Sequence, residues 1–371
     1  MHRRGPRTAT LLLPGLLAAA CSTAPVQAPG PGALPASGLP TAAGTLVEDT
    51  VPSSALHGNP LGDPAARRVV VYLPPSYRSA PARRYPVVYL LHGFDGDPSQ
   101  WTERMRAPAA MDSLVAAGRV REMIVVMPDA KNLYGGAFYA NSPATGRWED
   151  FLVRDVVRHV DRRYRTLACA ESRGVAGWSM GGWGALHLAA RHPELFGAVY
   201  ALSPFGLGDL LEGAGGEGPT WSAVLALRTP AEAARADFGA RLRLALAAVL
   251  TPDPGQPPFR VALPFAPGAG GPVPAGAAHA AWAAATPDTL ATRHGAALAR
   301  LRGVAFDAGT ADDFRMIPAS VRALDRALTQ AGVPHTAELY AGTHGSRVQE
   351  RLRTRVLPFF SERLAAQSSR R

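Results

Sequence analysis

Short β-branched or apolar runs alternate with amphipathic stretches along most of this chain, and that alternation narrows the possible folds more than any other feature. The runs fall at 68–73, 87–92, 123–128, 174–178, 198–203, 304–309 and 336–340. Runs of this kind are apolar at nearly every position, so they predict strands covered on both faces, as in a mainly parallel sheet of an α/β fold. Between them, 148–164 carries Phe151, Leu152, Val156, Val157, Val160 and Tyr164 at helical spacing, which predicts a crossover helix with one buried face. The stretches 316–331 and 347–364 read as helices too, the second kinked or broken at Pro358.

The rhythm stops between Phe205 and Arg300. This insertion, 205–300, separates two consecutive strands and contains a predicted helix at 230–250, a strand-like run at 259–265 and a Pro/Gly/Ala-rich stretch through Pro287. At the carboxyl edge of a parallel sheet it is placed either to cap a ligand site or to pack on the flank. The glycine cluster at 213–218 lacks the Gly-Lys-Ser/Thr of a phosphate loop and reads as a flexible turn.

The chain opens with Arg3, Arg4 and Arg7 ahead of an apolar segment, 9–20, the pattern of a secretion leader over residues 1–20. The leader ends Leu17-Ala18-Ala19-Ala20-Cys21, which resembles a lipoprotein processing site. Cys21 is accordingly expected to carry lipid and to attach the protein to a membrane, with simple cleavage and secretion as the alternative. Residues 21–45 are rich in Pro, Ala and Gly and too poor in apolar bulk to order themselves, so they are expected to act as a tether to a domain spanning 46–371. An exported protein of the cell envelope, periplasm or exterior follows.

The formal charge of +10 raises the question of nucleic acid. The basic residues are arginines apart from Lys131, and they are interleaved with acids, as at Arg154-Asp155 and Asp161-Arg162-Arg163, without a dense basic run, so a nucleic-acid partner is not expected. Two cysteines, Cys21 and Cys169, sit in no Cys-x-x-Cys pair and offer no metal cluster.

Chemistry concentrates at Gly177-Trp178-Ser179-Met180-Gly181, where a predicted strand gives way to a helix. In such an elbow the serine occupies a strained turn and its hydroxyl stands at the positive end of the helix. A serine hydroxyl needs a base, and the base an orienting acid. His344 follows the last strand, where the base is expected. Asp307, Asp312 and Asp313 compete for the acid. Asp307 lies within a strand, Asp312 lies in the loop beyond it and is preferred, and Asp313 is placed to cap the helix starting near Met316. Oxyanion donors are expected from the Met180 N–H and from the loop after 87–92, at Phe94 or alternatively Gly93. His92 reads as a structural histidine beneath that loop. No cofactor or metal is required.

With these residues in place, the segments 85–93, 123–129, 148–152, 177–182 and 191–197 resemble the esterase family of α/β-hydrolases that includes S-formylglutathione hydrolase (esterase D), feruloyl and acetylxylan esterases and the mycolyltransferases. The resemblance implies an α/β-hydrolase fold, Ser179 as nucleophile, Asp312 as acid and His344 as base. It implies hydrolysis of a small-molecule or carbohydrate ester. Acyl transfer to a cell-envelope sugar is an alternative, kept open by similarity to mycolyltransferases around Phe138-Tyr139 and Trp148-Glu149, and an inactive binding protein on the same fold is another.

Overall fold

The computed structural model describes residues 43–208, 210–211 and 220–367. The leader, the lipidation expectation at Cys21, the tether up to 42 and the glycine cluster at 213–218 lie outside the described residues.

Eight strands form the central sheet: β1 (Thr45–Pro52), β2 (Ala66–Leu73), β3 (Val87–Leu91), β4 (Ile124–Pro128), β5 (Arg173–Trp178), β6 (Ala198–Leu202), β7 (Gly303–Gly309) and β8 (Thr336–Tyr340). Their spatial order is β1-β2-β4-β3-β5-β6-β7-β8. The β1–β2 and β2–β4 pairs are antiparallel and every other pair is parallel. Strands β3, β4, β5 and β6 are buried along their whole length, as runs such as VVYLL and IVVMP require. Strand β1 has the opposite signature, alternating exposed and half-buried residues at the sheet edge, and the apolar runs that mark the other strands do not include it. One hydrophobic cluster covers each face of the sheet.

The helix beginning at Trp148 runs as three consecutive segments, Trp148–Asp150, a π-helical Phe151–Val156 and Val157–Arg163, and it buries the side chains that its spacing marks. The C-terminal helix does not break at Pro358. It passes through Val348–Arg351, a π-helical Leu352–Val356 and Leu357–Arg363, and Pro358 opens the last segment.

Between β6 and β7 the insertion holds helices Thr220–Ala226, Pro230–Arg235, Phe238–Leu250, Gly276–Ala283 and Pro287–Leu298. The single helix expected at 230–250 is two, because Thr229 and Asp237 each cap a separate start: the Thr229 side chain accepts from the Glu232 N–H and the Asp237 side chain from the Ala240 N–H. The run 259–265 is not a strand. It makes one bridge, Pro252 to Val261, and only Phe265–Ala266 pairs further, with Val273–Pro274.

Candidate active site

Ser179 leaves β5 in a positive-φ conformation, φ 59° and ψ −119°, and helix Met180–Arg191, the elbow helix, starts on the next residue. A non-glycine residue there is strained, and the surroundings hold it. Its N–H donates to the Leu202 carbonyl at 2.9 Å, and its carbonyl accepts from the Phe205 N–H at 3.1 Å. The flanking glycines let the chains come this close. A Cβ on Gly177 would lie 2.1 Å from the Gly181 carbonyl oxygen, and one on Gly181 would lie 2.1 Å from that of Leu91. The sharp turn that lifts the hydroxyl therefore depends on missing side chains at both positions.

His344 and Asp312, which follow β8 and β7, meet with Nδ1 2.9 Å from the carboxylate Oδ2, and both residues are buried. The carboxylate accepts, so Nδ1 carries the proton and Nε2 is left as the acceptor. The other oxygen, Oδ1, accepts from the Phe314 N–H at 2.9 Å, which fixes the carboxylate plane. The two loops are joined by backbone: the Ala311 N–H donates to the Gly342 carbonyl at 3.0 Å, where a Cβ on Gly309 would stand 2.2 Å from that oxygen. The imidazole lies 5.1 Å from the Trp178 ring and 4.9 Å from the edge-on Phe314 ring, centroid to centroid. The Trp178 indole N–H donates to the His344 carbonyl at 2.9 Å. Trp178 immediately precedes Ser179, so these contacts bring the histidine loop to the elbow.

The loop after β3 supplies the third part. His92 is fully buried, and its Nε2 accepts from the Ala130 N–H at 2.9 Å. Its Nδ1 is therefore the protonated nitrogen and donates to the Gly93 carbonyl at 2.8 Å. Burial pushes its pKa down, which keeps the ring neutral in this structural role. The Tyr139 hydroxyl donates to the His92 carbonyl at 3.0 Å. The Gly93 N–H donates to Gln100 Oε1 at 2.6 Å, which removes Gly93 as an oxyanion donor and leaves Phe94. Met180 is the first residue of the elbow helix, so its N–H has no acceptor within the helix.

Two aspartates differ from or complete the sequence reading. Asp313 does not cap the following helix: Arg315 occupies that position without a side-chain cap bond. The Asx turn made by Asp312 with Phe314 shapes this start instead. Asp307 sits inside β7 and takes the guanidinium of Arg351 at 2.7 Å and the Tyr200 hydroxyl at 2.8 Å, far from the role of an orienting acid. Among the other described histidines, His187 and His192 sit on Glu149, His335 on Asp325 and His279 against Phe265.

Of the two placements the sequence leaves open for the insertion, over the site or on the flank, part of it takes the first, although the residues that make the contact were not foreseen. The first turn of helix Phe238–Leu250 reaches the loop after β3: the Phe238 ring meets Phe94 edge-on at 5.4 Å and Phe314 at 6.4 Å. At the end of the same turn, both terminal nitrogens of Arg241 donate to the two carboxylate oxygens of Asp95, and the guanidinium lies over the Phe94 ring. Asp95 has φ 60°, and Gly135 beneath it has no room for a Cβ, which would sit 2.7 Å from the Asp95 carboxylate. Phe238 remains 42% exposed, an apolar ring presented to solvent beside the site. Only the glycines around Asp95 hint at this in sequence, since the contact joins residues 146 apart.

The sequence profile of the family described as "Putative esterase" matches residues 64–352. The chain is 34% identical over 135 residues to an endo-1,4-beta-xylanase/feruloyl esterase of Xylanibacter ruminicola. It is 36% identical over 129 residues to Esterase Rv1288 of Mycobacterium tuberculosis. These matches take in 34% and 33% of this chain and span 18% and 26% of the two relatives' own lengths. Among solved structures, a ferulic acid esterase superposes with a TM-score of 0.59 at 23% identity, covering 86% of this chain and 98% of that one. An S-formylglutathione hydrolase from Agrobacterium tumefaciens does so with 0.56 at 18% identity, covering 87% and 96%. Sheet order, elbow and profile agree: this chain belongs to that esterase family and has the α/β-hydrolase fold.

Proposed function

We propose that the protein is a serine ester hydrolase that works through an acyl-enzyme. The observation that carries this is the buried Asp312–His344 pair, 2.9 Å apart, held on Trp178 directly before the strained Ser179. Ser179 Oγ attacks the ester carbonyl while His344 Nε2 takes its proton and passes it to the leaving alcohol. Asp312 holds the imidazole in the tautomer that can do so and balances its charge. Water then resolves the acyl-enzyme by the same route in reverse. The N–H groups of Met180 and Phe94 stabilise the tetrahedral oxyanion, each such donor contributing about 10²–10³ in kcat.

The substrate is a carboxylic ester of a small molecule or carbohydrate, in keeping with relatives described as feruloyl and ferulic acid esterases. The leader-like segment and Cys21 support export and lipid attachment. For acyl transfer no observation speaks, because the residues that suggested it are engaged in support: Tyr139 holds the His92 carbonyl, and Glu149 binds His187, Arg191 and His192.

Ser179→Ala is expected to lower turnover of a p-nitrophenyl ester by roughly 10⁶-fold with the melting temperature retained. A fluorophosphonate probe should label the peptide containing Ser179. Turnover near wild type in the variant, or labelling on another peptide, overturns the reading.

A further inference from the structure

A cleft of about 460 Å³ opens between the elbow helix and the insertion, and neither Ser179, Asp312, His344 nor Phe94 lines it. On one wall Trp183, His187 and Arg191 follow each other at four-residue steps along a single helix stripe. Facing them from helix Pro287–Leu298 are Arg293 and His294. Leucines 186, 250 and 290 fill much of the remaining lining.

Among the described residues, the charge lining this cleft comes from arginine. Two arginines and two histidines line it, and among the described residues no Asp or Glu does. The nearest carboxylate on the elbow side, Glu149, is already bound by His187, Arg191 and His192. The potential is felt by His294, whose protonation is pushed down by burial and then by its neighbours His187, Arg191 and Arg293. Trp183 and His187 stack at 4.6 Å with 13° between their planes, which gives the cleft a flat aromatic side next to the cationic groups. An apolar floor rimmed by cationic groups matches a ligand that is apolar along its body and negative at one end.

We propose that this cleft is a second binding site, separate from the serine centre, for an amphiphilic carboxylate. The carboxylate lies against Arg293 and His294 and the hydrocarbon body against the leucines. Its volume accommodates a short-chain acid rather than a polymer.

Calorimetric titration of the intact protein with sodium octanoate tests this, with 1-octanol as the neutral counterpart. Octanoate is expected to bind one to one, and enzyme whose active-site serine has been phosphonylated to bind it equally well. Arg293→Glu, an exposed substitution, should weaken binding about ten-fold or more while p-nitrophenyl acetate turnover stays at the wild-type level, and Arg293→Lys should retain binding. Equal affinity in wild type and Arg293→Glu overturns the proposal, as does octanol binding as tightly as octanoate. Loss of binding in the phosphonylated enzyme also overturns it, since octanoate then occupies the serine centre. Binding is read without turnover, so a protein that binds octanoate but hydrolyses no ester supports the cleft and refutes the esterase reading.

Discussion

A methyl group added at Gly181 meets the Leu91 carbonyl oxygen at 2.1 Å, and one added at Gly177 meets the Gly181 carbonyl oxygen at the same distance. Both obstacles are backbone, so neither can swing aside. Gly181→Ala should therefore cost about 3 kcal/mol or more in stability and remove activity, measured as a fall in melting temperature together with loss of p-nitrophenyl ester turnover. A near-wild-type melting temperature would mean that the elbow yields more easily than its contacts indicate. At this scale much of the site was legible. Ser179 announces itself because the strained turn demands glycines at fixed offsets, and His344 and Asp312 because each follows a strand. Asp313 was misjudged only as a cap, because the helix start is shaped by Asp312, which takes the Phe314 N–H.

Helix Phe238–Leu250 is the element that sequence reasoning undervalued. Its first turn places Phe238 and Arg241 on the same face, and together they grip Phe94 and Asp95. The Phe94 N–H is the proposed oxyanion donor, so the helix sets the donor's position without touching the reacting atoms. Arg241→Met keeps the stem and removes the ion pair. It is expected to lower kcat about ten-fold at nearly constant KM, less than loss of a donor outright, and Arg241→Lys should recover part of the loss. Steady-state kinetics decides, and a change confined to the melting temperature would reduce Arg241 to a structural tie. Seven of the eight sheet strands were legible to within a residue or two, since a buried strand writes itself as an apolar run: 304–309 became Gly303–Gly309, and 336–340 is Thr336–Tyr340, whereas the alternating edge strand β1 left no such run. The insertion was not, because its helices are short, Ala-rich and ended by caps, and alanine runs carry little periodic contrast.

Across the whole molecule, Glu149 ties the helix segment Trp148–Asp150 to the elbow helix. Burial opposes its charge, but hydrogen bonds from His187, His192 and Arg191 prevail and hold the carboxyl well below the usual glutamate range. A carboxyl depressed in the folded state stabilises the fold above its unfolded pKa, near 4.3, and that contribution drains away as the pH drops further. Glu149→Gln should accordingly lower the melting temperature at pH 7, and the gap from wild type should narrow between about pH 4.5 and pH 3 in a melting series. A constant gap across that range would deny the network its part in acid unfolding. The mainly parallel sheet with helices on both faces was implied by the apolar runs and by family resemblance, whereas the seating of the insertion on the β3 loop was beyond the reach of local pattern. That seating has a consequence for selectivity. Phe238 stands exposed against the Phe94 ring while Arg241, on the same turn, steadies the proposed donor, so a group that displaces Phe238 also disturbs that donor. An acyl or alcohol group bulky enough to lever the helix outward would bind well yet react slowly, and the enzyme's sorting of substrates by size would register in turnover rather than in affinity.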